Sequence, residues 1–294
     1  MRVLVAGSSG LLGGALVSRL RTAGHDVVRL VRRRAAAPDE YSWDPPSGRI
    51  DDAALTGADA AVNLCGAPLA AGRWSGARKQ HIVDSRLEPT EVLAEAVARH
   101  RVPVLLNASG INVYGDTGDR EVDETAAPGT GFLADLCTAW EAATGPAERA
   151  GARVVLLRTA PVLSSRGGLL APLKVLFRAG LGGRLGNGRQ YFPWIGFDDH
   201  LAAMELLLGD AGSSGPVNLT GPEPVTNAEF TRALGRALRR PTPWRAPQLL
   251  LRIGLGEGAD EMLLSGPRAV PNRLMRTGFT FTTPTVDDAL AAAI

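Results

Sequence analysis

The sequence is poor in the residue types that carry metal, thiol and acid–base chemistry. Its 294 residues include two cysteines, four histidines, three tyrosines and two lysines, Lys79 and Lys174. Cys65 and Cys137 lie in unrelated contexts and form no pair motif, which favours a reducing compartment. The histidines are scattered without metal-ligand spacing, so we predict no metal site.

Long apolar runs and an excess of charge of one sign are also missing. No uninterrupted apolar run reaches the roughly 18–20 residues of a membrane span. The net charge is +2, with 32 basic and 30 acidic residues, so charge gives no reason to expect binding to nucleic acid or to a membrane. We therefore expect a cytoplasmic protein whose partner is a small-molecule substrate. A homodimer is compatible with the sequence.

The start of the chain carries its strongest pattern. An apolar strand from Arg2 to Ala6 and a second from Val27 to Val31 flank a helical stripe that begins at Leu12. Between the first strand and the helix lies Gly7-Ser8-Ser9-Gly10-Leu11-Leu12-Gly13, with the spacing G-x-x-G-x-x-G. This β-turn-α-β unit predicts a Rossmann fold that binds a dinucleotide.

Each glycine of this turn has an expected role. Gly7 lets the chain turn tightly, Gly10 lets the backbone approach a pyrophosphate, and Gly13 lets the helix pack closely. The N–H groups at the start of the helix then favour the phosphates. A signal peptide is the alternative, but the glycines, the serines and the basic residues Arg19 and Arg21 in the helical stripe disfavour it.

The end of the second strand indicates which dinucleotide binds. A site that prefers NAD carries Asp or Glu there to bind the ribose 2′-hydroxyl, whereas Arg accommodates a 2′-phosphate. Here Val31 is followed by Arg32, Arg33 and Arg34, and no acid appears before Asp39. We predict NADP(H) as the cofactor, with Val31, Arg32 and Arg33 at its site. Three solvated arginines on a surface turn are the alternative.

Strands and helices alternate along the rest of the chain, which predicts an α/β fold with a doubly wound parallel sheet and a smaller C-terminal α/β lobe. Residues 1–160 are interpreted as the NADP-binding domain and residues 161–294 as the substrate-facing lobe, interwoven into one unit. The polar, proline-rich stretch from Ala35 to Gly48 is predicted to be a surface loop. The other expected strands are Ala60 to Gly66, Val102 to Ser109, Arg153 to Thr159 and Pro216 to Thr220, and the expected helices are Ile82 to Ala98, Phe132 to Ala150, Leu169 to Leu181, His200 to Leu208 and Asn227 to Leu238.

The ends of these strands supply further cofactor candidates. Ligands of doubly wound sheets lie across the carboxyl ends of the strands. Leu64, Cys65 and Gly66 end the third buried strand and are therefore expected beside the cofactor; a plain strand end is the alternative. Ala160, which follows the strand ending at Thr159, is included in the same site.

Several motifs occur in an order that is typical of one enzyme superfamily. They are the glycine turn, Asn63-Leu64-Cys65-Gly66, Arg73-Trp74, Ser85-Arg86-Leu87, Tyr114-Gly115, Trp140-Glu141, Arg158-Thr159, Phe192-Pro193-Trp194-Ile195, Pro222 to Phe230 and an extension from Leu263 to Phe281. On these motifs the chain resembles the extended short-chain dehydrogenase/reductases, and more closely their atypical NAD(P)-dependent epimerase/dehydratase-like family with a C-terminal extension. The resemblance implies a dinucleotide site, with NADP found in similar members, but names no substrate. It also implies that Arg86 contacts a cofactor phosphate, a salt bridge on the helix surface being the alternative.

The superfamily's catalytic residues are missing. The resemblance implies a Tyr and a Lys four residues apart, the Lys lowering the pKa of the Tyr. Neither lysine has a tyrosine four residues before it, and the helix expected to carry the pair shows Leu133 and Cys137. Ser109 is present, but the position expected for the helper serine is Gly110. Any proton transfer must therefore use other groups.

Tyrosines are the available replacements. Tyr114 follows a strand end and is the candidate acid or base, with Ser109 beside it, although a packing role is equally open. Tyr191 and Trp194 are predicted to face a substrate cleft or else to belong to the core. Three functions remain: an NADPH-dependent oxidoreductase acting on a small organic carbonyl or alkene, an NADPH-binding sensor without turnover, and a nucleotide-sugar epimerase or dehydratase. The missing base counts against the last.

Overall fold

The computed structural model describes residues 1–70 and 72–294 of the chain. In chain order, the strands that it describes are β1 Arg2–Ala6, β2 Asp26–Val31, β3 Glu40–Asp44, β4 Arg49–Ile50, β5 Ala60–Asn63, β6 Val104–Gly110, β7 Glu121–Val122, β8 Arg153–Thr159, β9 Val162–Leu163, β10 Gly183–Leu185, β11 Tyr191–Phe192, β12 Ile195–Gly196, β13 Gly215–Leu219, β14 Val225–Thr226, β15 Trp244–Ala246 and β16 Arg268–Ala269. The α-helices are α1 Leu11–Thr22, α2 Gly76–His100, α3 Phe132–Ala142, α4 Gly145–Arg149, α5 Leu170–Arg178, α6 Phe197–Gly209, α7 Asn227–Leu238, α8 Gln248–Leu255, α9 Glu257–Met262, α10 Asn272–Arg276 and α11 Val286–Ala293. Short 3-10 segments cover Pro45–Ser47, Asp52–Leu55 and Ile111–Tyr114.

One eight-stranded sheet positions the candidate site. Its strand order is β13-β8-β6-β5-β1-β2-β3-β4, and every neighbouring pair except β3–β4 is parallel. From β1 the chain proceeds through β2 and β3 on one side and then through β5, β6, β8 and β13 on the other. The predicted doubly wound α/β fold is confirmed, and the strand order reverses between β1 and β5, where such sheets bind ligands.

Apolar side chains on both faces bury the central strands between helices. Val3 and Val5 of β1 belong to a core with residues of α1 and α6, whereas Leu4 and Ala6 belong to a second core with residues of α2. Parallel strands with helices on both faces have no polar side, which is why β1 is a continuous apolar run. Each large aliphatic side chain that is fully buried contributes about 1.5–3 kcal/mol.

The stretch from Ala35 to Gly48 is not the surface loop that its composition predicts. Glu40–Asp44 forms β3, which continues the sheet parallel to β2, and Trp43 is buried in the core with Leu30. The carboxylate of Glu40 is hydrogen-bonded by Arg33 at 2.7 Å. Burial of the Trp43 ring and these ion-paired contacts outweigh the local preference of prolines and polar residues for loops.

Proline changes the bounds of one predicted helix, and capping supports the bounds of another. The helix expected from Phe132 to Ala150 is divided, since α3 ends at Ala142 and α4 begins at Gly145 with Pro146 in its first turn. Proline suits the first turn of a helix but not its interior. The helix from Asn227 to Leu238 is confirmed, with Thr226 and Glu229 forming a capping box.

The chain after residue 160 is interwoven with the Rossmann sheet. β13 pairs with β8, and α6 contributes Leu201 and Met204 to the core that also contains Val3 of β1. A smaller core of its own joins α5, α7 and α11 through Phe177, Phe230 and other apolar residues. Among residues 1–70 and 72–294, no helix combines the length and apolarity needed to cross a membrane.

Candidate functional site

The chain turns sharply at the carboxyl end of β1, where the strand order reverses. Gly7 has a φ of +80°, and a Cβ there would lie 2.8 Å from the carbonyl carbon of Leu64, so this position requires glycine. A Cβ at Gly13 would lie 2.2 Å from the Gly7 carbonyl oxygen. The first turn of α1 therefore rests directly on the backbone of the glycine turn.

The N-terminus of α1 is available to an anion. Gly10 is its N-cap and offers no side-chain hydrogen bond, and the first turn contains no acidic residue. Ser9 and Gly10 are exposed, while Ser8, Leu11 and Leu12 are half-buried. Uncapped N–H groups at the positive end of a helix dipole favour a phosphate. The turn thus has the shape and the electrostatics that a pyrophosphate needs.

The arginines after β2 differ in their contacts. Arg33 forms two hydrogen bonds of 2.7 Å with Glu40, and they hold the pKa of Glu40 near 2. Arg32 is exposed and has no hydrogen bond or ion pair within residues 1–70 and 72–294. Burial raises the pKa of the Cys65 thiol to about 12, and the nearby positive charge of Arg32 acts in the opposite direction. Arg32 therefore has a free guanidinium near the switch point in the described part of the chain, whereas the guanidinium of Arg33 is bound to Glu40.

The residues after β5 face the glycine turn across the switch point. The N–H of Leu64 donates to the carbonyl of Ala6 at 3.1 Å, and the N–H of Cys65 donates to Asn63 at 3.2 Å. These contacts place the backbone of Leu64, Cys65 and Gly66 beside the end of β1. Because burial raises the pKa of the Cys65 thiol to about 12, this thiol stays protonated at neutral pH and is unsuited to act as a nucleophile.

Arg86 is a buried cation without a carboxylate partner among the residues described. Its guanidinium lies 5.2 Å from the Trp140 ring centroid and donates to the carbonyls of Ile82 and Ala67 at 3.0 and 3.1 Å. Burial lowers its pKa to about 10. A Cβ at Gly66 would lie 3.2 Å from Arg86 Cζ, so the charge lies directly behind the end of β5. An anion there would compensate a costly buried charge, which favours the phosphate contact over a surface salt bridge.

Tyr114 and Ser109 belong to a buried hydrogen-bond network. The Tyr114 hydroxyl donates to Asn218 at 2.8 Å and accepts from Arg158 at 2.9 Å. Arg158 in turn forms two bonds of 2.8 Å with Glu141, to which Ser109 donates at 2.7 Å. Tyr114 is 2% exposed, and burial raises its pKa although Arg158 acts in the opposite direction. This geometry fits the packing role of Tyr114; the catalytic role of Tyr114 and Ser109 stays a prediction.

The positions expected for the catalytic Tyr and Lys are packed into the core. Leu133 and Cys137 are both buried, and burial raises the pKa of the Cys137 thiol to about 12. A Cβ at Gly110 would lie 3.0 Å from Cys137 Sγ, closer than a side chain normally approaches. Gly110 and Cys137 therefore pack in direct contact. This contact occupies the space that the Ser, Tyr and Lys side chains would need.

Both lysines are bound to other groups. Lys79 forms an ion pair with Glu257 and lies 4.8 Å from the centroid of the Phe132 ring. Lys174 donates to the carbonyl of Ala293 at 3.0 Å. Neither ammonium group is placed to lower the pKa of a tyrosine at the sheet edge.

The remaining candidates differ in their burial. Trp194 is 1% exposed and donates to the carbonyl of Glu223 at 3.2 Å, so the structure places it in the core, as the alternative interpretation expects. Ala160 is buried and pairs with the carbonyl of Leu219. Val31 and Tyr191 are half-buried, and Tyr191 lies next to Gly266. Of these, Val31 and Tyr191 are partly accessible to a ligand.

A polar cavity lies between the segment that follows β6 and the C-terminal segment. It has a volume of about 360 Å³, and Asn112 and Gly115 after β6 face Gln248 and Asp260 across it. Glu261, which also lines it, accepts hydrogen bonds from two N–H groups at the start of α3, each at 3.1 Å. The C-terminal segment thus caps a helix of the Rossmann core and closes one side of the sheet edge.

His200 is buried, and its burial was not predictable from the sequence. Its Nε2 lies 3.2 Å from Thr159 Oγ1, and its Nδ1 has no partner among the residues described. Burial lowers its pKa from 6.5 to about 4. A lone histidine in a helix carries no pattern that distinguishes a core position from a surface one.

Stability is expected to depend on the protonation of His200. Because the folded pKa lies below the unfolded one, its contribution is complete above pH 6.5 and is lost as the pH falls through about 4. This loss amounts to about 3 kcal/mol in the free energy of unfolding. In urea titrations from pH 7 to 4, His200→Gln should show a shallower loss than the wild type, and His81→Gln, an exposed control, should not. An unchanged pH profile in His200→Gln contradicts the prediction.

Comparisons with known proteins match this fold and site. A model of the NAD dependent epimerase/dehydratase family matches residues 3–220, and a domain of unknown function, DUF1731, matches residues 246–293. The epimerase family protein Mb2239 of Mycobacterium bovis is 55% identical over 291 residues, which cover 99% of this chain and 97% of that protein.

Two solved structures extend the comparison. The crystal structure of human epimerase family protein SDR39U1 (isoform 2) with NADPH has a TM-score of 0.89 at 32% identity and covers 99% of this chain and 98% of the human chain. The nucleoside-diphosphate sugar epimerase from Corynebacterium glutamicum has a TM-score of 0.81 at 36% identity; the match covers 99% of this chain but 57% of the other. The protein therefore belongs to the NAD dependent epimerase/dehydratase family.

Proposed function

We propose that the protein binds NADPH across the switch point between β1 and β5 and acts as an oxidoreductase on a small organic carbonyl or activated alkene. The observation that carries the proposal is the free guanidinium of Arg32 beside a glycine turn in which Gly7 and Gly13 leave no room for a Cβ. The similar human protein, solved with NADPH, supports this cofactor.

Different residues at the switch point bind different parts of the cofactor. The segment from Gly7 to Gly13 holds the pyrophosphate through backbone N–H groups, and Arg32 binds the 2′-phosphate. The backbone from Leu64 to Gly66 lies against the other half of the molecule, where Arg86 offers a positive charge that has no carboxylate partner in residues 1–70 and 72–294. NADPH supplies the hydride, and the protein binds and orients it.

The packing of α3 favours reduction of an activated alkene over oxidation of a sugar hydroxyl. Oxidation of a hydroxyl requires a base to take its proton, and Leu133 and Cys137 fill the space where that base would act. Hydride addition to an activated alkene needs only a proton at the second carbon, and water can supply it. The same packing makes a nucleotide-sugar epimerase the weaker proposal.

Replacement of Arg32 by alanine is expected to weaken NADPH binding by about 10- to 100-fold, since hydrogen bonds to charged groups contribute roughly 1.5–3 kcal/mol. NADH lacks the 2′-phosphate and should bind Arg32→Ala and the wild type alike. Quenching of the five tryptophans measures both affinities. Arg34→Ala, an exposed arginine two positions away, is the matched control. NADH binding as tight as NADPH binding in the wild type rejects the assignment of Arg32.

An NADPH sensor without turnover is the second candidate. It is favoured by one observation, the burial of Tyr114 and of the positions expected for the Tyr-Lys pair. A screen of carbonyl and alkene substrates, followed through the absorbance of NADPH, separates the two functions. Consumption of NADPH that depends on substrate supports the oxidoreductase, whereas tight binding without consumption across the screen supports the sensor.

A further inference from the structure

Two chain segments together expose a set of large apolar side chains. Val175, Leu176 and Leu181 lie in and after α5, and Trp244, Leu249, Leu250 and Ile253 lie in β15 and α8; all seven are 45–68% exposed. β10 pairs with β15, and Trp244 Nε1 donates to the carbonyl of Gly180 at 2.7 Å, so the two segments touch. We refer to residues 166–189 and 239–256 as the apolar arch. A group of large exposed apolar side chains is typical of a surface that binds a ligand or partner.

Every charged residue of the apolar arch is basic. Its first segment contains five basic residues and its second four, and neither contains Asp or Glu, although the whole chain is nearly balanced. In the described part of the chain, Arg252 alone among these nine forms an ion pair, with Asp260. Arg178, Arg184, Arg239 and Arg240 are exposed. The arch therefore combines apolar contact area with uncompensated positive charge.

Each segment of the apolar arch approaches a residue of the Rossmann domain, one at the start of α1 and one before α2. At one end a Cβ on Gly168 would lie 3.7 Å from the side chain of Leu11, the first residue of α1. At the other end a Cβ on Gly256 would lie 3.1 Å from Arg73 Nε, in the segment that follows β5, and Lys79 pairs with Glu257. The arch is thus in contact with the helix that follows the cofactor turn and with the segment that follows β5.

This inference rests on the proposed NADPH site. We propose that the apolar arch binds the substrate of the protein and that this substrate is an amphipathic organic anion, which is a hydrocarbon chain or ring carrying a carboxylate or phosphate. An uncharged sugar would leave both the apolar area and the basic charge unmatched. A second copy of the chain fits less well, because a two-fold interface brings the same surface together from both subunits and would set nine basic residues against nine.

The test uses decyl phosphate below its micelle concentration, with decanol and inorganic phosphate as probes of each half alone. Titration calorimetry of the full chain with NADPH present is expected to give at least about 10-fold tighter binding of decyl phosphate than of either half. Leu250→Ser with Ile253→Ser should weaken this binding about 10-fold, and Arg178→Gln with Arg184→Gln should do the same. The controls Met275→Ser and Arg120→Gln, exposed residues of matching type outside the arch, should leave it unchanged.

NADPH affinity is measured in the same variants, so that failure of this inference is distinguished from failure of the proposed function. If the wild type binds NADPH but not decyl phosphate, this inference is overturned and the proposed function stands. If the wild type does not bind NADPH, the proposed function is overturned. Binding to phosphatidylglycerol vesicles in place of the monomeric anion would instead identify a membrane surface. A concentration-dependent dimer that Leu250→Ser with Ile253→Ser dissociates would identify a second copy as the occupant.

Discussion

Replacement of Glu141 by alanine is expected to lower the free energy of unfolding by about 3–5 kcal/mol, the cost typical of breaking a buried ion pair. Glu141 accepts both hydrogen bonds from Arg158, whose side chain is 7% exposed, and the bond from Ser109. Burial lowers the pKa of Arg158, and the bonds to Glu141 and Tyr114 raise it above its ordinary value. Since the ordinary pKa of arginine lies far above 7, the guanidinium stays charged at neutral pH even when Glu141 is removed. Without Glu141 that charge remains buried beside the neutral Tyr114 hydroxyl. Urea denaturation at neutral pH measures the loss.

Two further variants separate the ion pair from general damage to α3. Asp135→Ala changes an exposed carboxylate of the same helix and should cost less than about 1 kcal/mol. Glu141→Met combined with Arg158→Met removes both charges and should recover much of the lost stability, as replacement of buried pairs by apolar residues often does. If Glu141→Ala alone lowers the free energy of unfolding by less than about 1 kcal/mol, water reaches Arg158 and replaces the carboxylate.

The same network connects the Rossmann core to the C-terminal segment. Asn218, which accepts from Tyr114, donates to the carbonyl of Val270 at 2.9 Å, and its own N–H donates to Glu124 at 3.0 Å. Glu124 also accepts from the N–H of Arg273. Tyr114, the candidate acid or base, here belongs to a network that joins two parts of the structure, which is consistent with a reaction that needs no tyrosine as acid or base.

Local pattern and backbone chemistry made part of this structure predictable. The glycine spacing predicted the turn at Gly7, because only a residue without Cβ fits there. The bounds of β8 and α7 were predicted in full, because a buried parallel strand is continuously apolar and because Thr226 provides a cap. In these elements the local preference and the tertiary contacts favour the same conformation.

Elements decided by distant contacts were not predictable. The polar, proline-rich composition around β3 predicts a loop, whereas the burial of Trp43 that makes it a strand depends on β2 and on residues further along the chain. The pairing of Glu141 with Arg158 and the burial of His200 likewise join elements whose proximity only the folded sheet reveals. The motifs contained Glu141 and Arg158 but gave no indication that the two residues bind each other or that they engage Tyr114.

The glycine turn allows a test in which two adjacent residues are expected to behave oppositely. A Cβ at Gly13 would lie 2.2 Å from the backbone oxygen of Gly7, whereas a Cβ at Gly14 would meet Ser8 at 3.5 Å, an ordinary contact. Gly13→Ala must therefore displace either α1 or the turn. Overpacking of this kind costs about 1–3 kcal/mol, and a displacement worth 3 kcal/mol at the pyrophosphate would weaken NADPH binding by roughly 100-fold.

Gly14→Ala adds the same methyl group to the same helix and is the matched control. It should keep the NADPH affinity of the wild type and raise the free energy of unfolding by up to about 1 kcal/mol, because alanine is the better helix former. Tryptophan quenching gives the two affinities, and thermal unfolding without NADPH gives the two stabilities. Equal NADPH binding by Gly13→Ala and Gly14→Ala would mean that the contact between α1 and the turn does not shape the phosphate site, and the cofactor would have to be held elsewhere on the sheet edge.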